Sequence, residues 1–290
     1  MDTVYHGLTA DELARQLDVE TTVESVDAYR EENLRMSEEA RLSFPAARLD
    51  VAYGGDPEQK LDIFAPPAPD NQPVMIYIHG GGWRSGSKNT ASFVAKAMCG
   101  RGVIWVPIDY GLAPDYRIDA IVGHVRSAVA WVYDEIALYG GDPEEIYVSG
   151  NSAGGHLTGA ILMPGWHGAY GVPANVVKGA CAMSGVFDLD SLLLAAYGYN
   201  NELQLTAESA RANSPQYHLP MEAGPLIVAV GAPEPDEFRR QSAAYAAAWA
   251  GMGLDGKHME IPDANHFMMV RELGNPEGDL FNDVMEMIGV

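Results

Sequence analysis

Tyr147-Val148-Ser149-Gly150-Asn151-Ser152-Ala153-Gly154-Gly155-His156 is the stretch whose reading decides the fold. A short β-type run leads into it, and small residues that permit a helix follow. Gly150 and Gly154 stand two residues either side of Ser152 and remove side chains where a sharp strand-to-helix turn crowds the backbone. Such a turn exposes the Ser152 hydroxyl. It also aims the amide of Ala153, at the N-terminus of the new helix, toward whatever the serine attacks. Asn151, beside the serine, is a candidate substrate contact.

Working outward, the run Val74-Met75-Ile76-Tyr77-Ile78 is continuously apolar, as expected of a strand covered on both faces. It ends in His79-Gly80-Gly81-Gly82-Trp83-Arg84-Ser85-Gly86-Ser87-Lys88. Further strands are predicted at 48–53, 61–64, 103–110, 146–149, 177–184, 225–230 and 257–262. Between them, Ile118, Ile121, Val122, Val125, Val129, Val132 and Ile136 recur at helical spacing, and Gly140-Gly141-Asp142-Pro143 stops that helix. Helices are also predicted at 237–251 and 280–288.

Strands alternating with helices predict a mainly parallel, twisted sheet flanked by helices, with residues 1–290 as a single domain. In such sheets ligands bind outside the carboxyl ends of the strands, where Ser152 and the Gly80–Gly82 run both fall. Residues 1–45 read as a helical arm, with a capping box of Thr9 and Glu12 ahead of the stripe Leu8, Leu13 and Leu17. The arm is expected to serve as scaffold or as part of a lid. The insertion at 188–220, with Leu192-Leu193-Leu194, Tyr197 and Tyr199, suits a small cap facing a substrate.

Composition sets outer limits. A chain of 290 residues with 47% hydrophobic content and 31 glycines can bury a large core. The net charge of −22 argues against nucleic acid and anionic membranes as partners. No run approaches the length of a membrane span, and the first residues carry no secretory pattern, so a cytoplasmic protein is expected. Cys99 and Cys181 lie in apolar runs and read as buried thiols, with no metal-ligand spacing around them. No metal and no cofactor are expected. The partner is a small molecule, and self-association as a homodimer stays open.

An acyl-transfer site needs a nucleophile, a base, a group to orient the base, and donors for an oxyanion. Ser152 is the nucleophile. The amides of Gly81, Gly82 and Ala153 are the candidate donors, since glycines let the main chain approach a carbonyl closely. Of eight histidines, His266 comes directly after the last predicted strand, where the loop opens onto the site. The acid should follow the strand 225–230. Glu234 lies three residues past the glycine that ends it, Asp236 is the alternative, and Asp188 and Asp190 follow an earlier strand. Trp83, Tyr197 and Phe267 join Asn151 as candidate substrate contacts.

These pieces together resemble the α/β-hydrolases of the arylformamidase (kynurenine formamidase) and carboxylesterase type. The resemblance rests on Gln59-Lys60-Leu61-Asp62, the stretch from His79 to Lys88, Asp109-Tyr110 with Leu112-Ala113-Pro114, and Gly140 to Pro143. It also rests on the Ser152 turn, Ser184-Gly185 with Asp188-Leu189, Glu237 to Ser242, and Asn265-His266-Phe267. It implies an α/β-hydrolase fold whose triad runs serine, acid, histidine along the chain, which makes His266 the base and places the acid at Glu234. The chain departs from arylformamidases at Gly82, where they often carry Tyr, at Asn151, where His is common, and at Glu234, where Asp is commoner.

The reading that follows is a serine hydrolase cleaving a small apolar or aromatic carboxylic ester through an acyl-enzyme. The same machinery could act on an N-aryl formamide or a lactone. A hydrolase fold that only binds is the reading from a different class, but that route normally loses the serine or the histidine, and both are present.

Overall fold

A computed structural model describes residues 2–290 and gathers eight strands into one sheet. They are β1 (Arg48–Ala52), β2 (Lys60–Ile63), β3 (Gln72–Ile78), β4 (Ile104–Ile108), β5 (Gly141–Asn151), β6 (Val177–Met183), β7 (Leu226–Gly231) and β8 (Gly256–Ile261). Their order across the sheet is β1-β2-β4-β3-β5-β6-β7-β8. β2 runs antiparallel to both β1 and β4, and every pairing from β4 to β8 is parallel. Parallel neighbours need crossovers, and the helices between strands supply them on the two faces of the sheet.

The apolar run of β3 is buried as expected, with Val74 to Ile78 each at most 2% exposed. The helix Ile118–Glu135 buries the anticipated stripe from Ile118 to Val132, while Ile136 packs from a 3₁₀ turn just beyond it. Gly140 then ends that turn at a left-handed φ of 82°. β5 starts earlier than the sequence suggests, at Gly141. The pairing of Gln72 with Gly141 and of Val74 with Ile146 leaves an irregularity that absorbs three extra residues within Asp142-Pro143-Glu144-Glu145. Cys99 and Cys181 are buried and free, and burial pushes both thiols up to about 12.

The N-terminal arm forms the helices Ala10–Leu17 and Val26–Leu42. The first is capped as the sequence predicts. The Glu12 amide donates to Thr9 Oγ1 at 3.3 Å, and the Thr9 amide donates to Glu12 Oε2 at 2.9 Å. Leu13 and Leu17 anchor it in the core. Residues 188–220 fold into three short helices, Asp190–Leu194, Asn200–Leu203 and Ala207–Ala212. Of the triple leucine only Leu192 is fully buried, and Leu194 is exposed. Among the described residues no helix is long and apolar enough to cross a membrane.

Candidate active site

Ser152 sits between β5 and the helix Ala153–Leu162 at φ 57°, ψ −121°, a strained backbone conformation for a residue with a side chain. The two glycines explain how the turn tolerates it. A Cβ on Gly150 would lie 2.4 Å from the Gly154 carbonyl oxygen, and one on Gly154 would lie 2.0 Å from that of Ile78. No larger residue fits either place, so the turn packs directly on the end of β3. The Ser152 amide donates to the Met183 carbonyl at 2.8 Å, tying the turn to the end of β6 as well. Ala153 is buried at the first position of its helix, where amides have no partner within the helix.

β7 ends at Gly231, and Glu234 follows on the turn into the helix Asp236–Gly251. Its Oε2 lies 2.6 Å from His266 Nδ1. Its Oε1 accepts from the Ser184 hydroxyl at 2.5 Å and the Gly231 amide at 2.8 Å. Glu234 and His266 are 5% and 3% exposed, so the pair is largely shielded from water. With Nδ1 donating to the carboxylate, Nε2 is left as the acceptor. Asp236, the alternative acid, is 87% exposed at its side chain and pairs with Arg239 instead. It is the first residue of its helix and points into solvent. Asp188 is also engaged elsewhere, accepting from the hydroxyls of Tyr5 and Tyr217 at 2.8 Å each.

Ser152 and His266 line one cavity of about 290 Å³, together with Gly80, Gly81, Gly82 and Asn151. The glycine loop bends back on itself there. The Gly81 carbonyl accepts from the amides of Arg84 and Ser85, with φ at 119° for Gly81 and 61° for Gly82. Asn151 accepts from the Tyr77 hydroxyl at 2.7 Å and reaches the cavity, as does Phe267, whose ring stacks on Tyr29 at 5.7 Å.

Two anticipated contacts lie elsewhere. Trp83 is 1% exposed and does not border the cavity. A left-handed φ of 58° turns its ring into the core, where Nε1 donates to His156 Nδ1 at 3.1 Å. Tyr197 is half-exposed and borders a separate, smaller space. Tyr199, two residues on, does border the Ser152 cavity, along with Tyr29 and Tyr77.

The N-terminal arm, expected as scaffold or as part of a lid, supplies Val19, Glu20, Tyr29, Arg30 and Asn33 to the cavity wall. The sequence does not point to two other contributions. Ser184 fixes the Glu234 carboxylate through its hydroxyl. Beneath the glycine loop, Asp109 Oδ1 accepts from the Lys88 amide at 2.6 Å and lies 3.7 Å from His79 Nε2, so one carboxylate holds both ends of the loop. His79 stacks on Tyr110 at 4.3 Å, and burial, against the pull of Asp109, holds its imidazole below the usual range. Lys88 and Asp109 both lie in stretches that carry the family resemblance, which is the one signal that could have flagged them.

The sheet order, the antiparallel second strand and a strained serine facing the same cavity as a buried histidine define an α/β-hydrolase. The family model described as BD-FAE matches residues 61–170. A kynurenine formamidase from Danio rerio is 32% identical over 263 residues, covering 88% of this chain and 87% of that protein. Esterase LipQ from Mycobacterium tuberculosis is 31% identical over 77% of this chain and 58% of its own length. Among solved structures, a proposed thioesterase from Silicibacter sp. tm1040 superposes with a TM-score of 0.81 at 26% identity, covering 97% of this chain and all of that one. The chain belongs to the kynurenine formamidase family, and it is a hydrolase.

Proposed function

We propose that this protein cleaves small apolar or aromatic carboxylic esters through an acyl-enzyme on Ser152. The observation that carries the reading is the buried Glu234–His266 pair at 2.6 Å, opening onto the same cavity as the strained serine. Glu234 fixes the tautomer that leaves Nε2 free to take the Ser152 proton. Oγ then bonds to the substrate carbonyl carbon, and the carbonyl oxygen takes the negative charge. The amides of Gly81, Gly82 and Ala153 are the donors for that oxygen. His266 returns the proton to the departing alcohol as the ester C–O bond breaks. Water repeats the sequence on the acyl-enzyme, which releases the acid and restores Ser152.

An N-aryl formamide is the second reading, favoured by the full-length likeness to a kynurenine formamidase. The steps are the same, except that His266 protonates a departing amine. The rings of Tyr29, Phe267 and Tyr199 around the cavity suit an aromatic group in either case. A panel of p-nitrophenyl esters, N-formylkynurenine and lactones ranks the substrates by kcat/KM. Ser152→Ala should lose at least about a hundredfold in kcat while remaining folded. A fluorophosphonate should label Ser152 alone. Retention of more than about a hundredth of the rate would remove Ser152 as the nucleophile.

A further inference from the structure

The cavity at Ser152 has a neighbour of about 140 Å³ between the N-terminal arm and the segment after β6. Its floor is apolar, made by Ala14, Leu17, Leu192 and Ala195, and Asp18, Arg84 and Tyr197 stand at its rim. Glu20 and Tyr199 border both spaces, so the Tyr199 ring is a wall common to the two. The ring lies directly on the glycine loop, where a Cβ on Gly82 would come within 2.4 Å of Tyr199 Cε1. Trp83 meets it edge-on at 6.2 Å, and the Arg84 guanidinium sits 5.0 Å from its centroid, steadied by Glu202 at 3.2 Å. The preceding residue, Gly198, has φ 120° with nothing near its Cβ position, a backbone conformation that glycine takes without strain.

Building on Ser152 as the nucleophile, we propose that Tyr199 is a specificity-determining partition and that the smaller cavity is a subsite for the distal methylenes of an acyl chain. The side of the scissile carbonyl follows from the neighbours. The leaving group departs beside His266, which protonates it, and Phe267 and Tyr29 form that wall. Tyr199 instead lies against Gly82 in the glycine loop, and the acyl group is assigned to that wall. With the ring in place the site takes short acyl groups. With the ring removed, a longer chain reaches the floor at Leu17 and Leu192, whose side chains offer it no polar atom.

The test is kcat/KM for p-nitrophenyl esters of increasing acyl length, normalised by fluorophosphonate titration of Ser152. Wild type and Tyr199→Phe should favour the shortest chains. Tyr199→Ala should shift the optimum to longer chains, gaining about fourfold for each methylene that enters the second cavity. Tyr199→Leu should shift it less in the same direction. Adding Ala195→Phe to Tyr199→Ala fills the floor and should restore the short preference. A Tyr199→Ala profile that moves by one factor at every length would overturn the partition, and a shift that survives Ala195→Phe would overturn the subsite. Failure of the fluorophosphonate to label wild-type Ser152 would instead sink the nucleophile reading on which both rest.

Discussion

Replacing Lys88 by methionine keeps the length of the side chain and removes its charge from a closed site. The ammonium is 1% exposed and lies 2.7 Å from Asp50, 2.8 Å from Asp62 and 4.0 Å from Asp109. Burial pulls its pKa down, but the hydrogen bonds to Asp50 and Asp62 more than offset that, and the amine ends above the ordinary lysine value. Breaking a buried pair from one side costs about 3–5 kcal/mol, because the remaining charge stays buried. Asp62 is fully buried but retains Arg41 at 3.4 Å, and the Asp50 side chain is 73% exposed. Both facts place the expected loss near the low end, about 3 kcal/mol. Unfolding entropy of about 2.1 cal/mol/K per residue gives about 0.6 kcal/mol/K for this chain, so Tm should fall by about 5 °C.

Scanning calorimetry of wild type and Lys88→Met measures the drop directly. Arg35→Met is the control. Its pair with Glu39 is short at 2.6 Å but more than half exposed on both sides, and losing it should move Tm by less than about 1 °C. A raised lysine pKa contributes stability that is fully present below the unfolded value and is lost as pH rises through the folded one. The difference between wild type and Lys88→Met should therefore hold across neutral pH and shrink only in strong alkali. If the two single variants melted together, the buried cluster would not be holding this part of the fold.

Three further outcomes are expected. Glu234→Gln should lower kcat by about a thousandfold or more, since His266 loses the group that fixes its tautomer, while Asp236→Asn should stay within about twofold; ester kinetics that rank them the other way would move the acid to Asp236. His156, fully buried, has its pKa lowered to about 4, mainly by burial, so the folded state resists a proton that the unfolded state accepts. Stability should fall by about 3 kcal/mol between pH 6.5 and 4 on this account, and urea titrations of His156→Gln should show a flatter slope over that interval. No step of the proposed scheme passes through a metal, so EDTA should leave ester hydrolysis unchanged. A rate that collapses with chelator and returns with zinc would refute the scheme.

What the sequence makes legible here is local. The strands, the capping box and the turn at Ser152 follow from contacts a few residues apart, and His266 and Glu234 are reached because each follows a strand at a fixed short interval. The order of strands is another matter, since β4 enters between β2 and β3 through pairings that no periodicity encodes. Side-chain direction after a turn is equally hidden. Trp83 faces the core because its φ is 58°, and Tyr199 rather than Tyr197 meets the cavity because the chain turns at Gly198 before the helix at Asn200. The acidic composition is silent in the same way. A net charge of −22 does not say which carboxylates leave the surface, and Asp62 is fully buried beside Lys88. Lys88 meets it only after the chain has run through β2, β3 and the glycine loop. Burying carboxylates around one amine is costly unless the geometry is fixed. That cost is a reason to find them beneath the glycine loop, where Asp109 holds His79 at one end and Lys88 at the other. A loop proposed to present Gly81 and Gly82 to a developing oxyanion gains nothing from a flexible base, and this chain places a buried ionic cluster there.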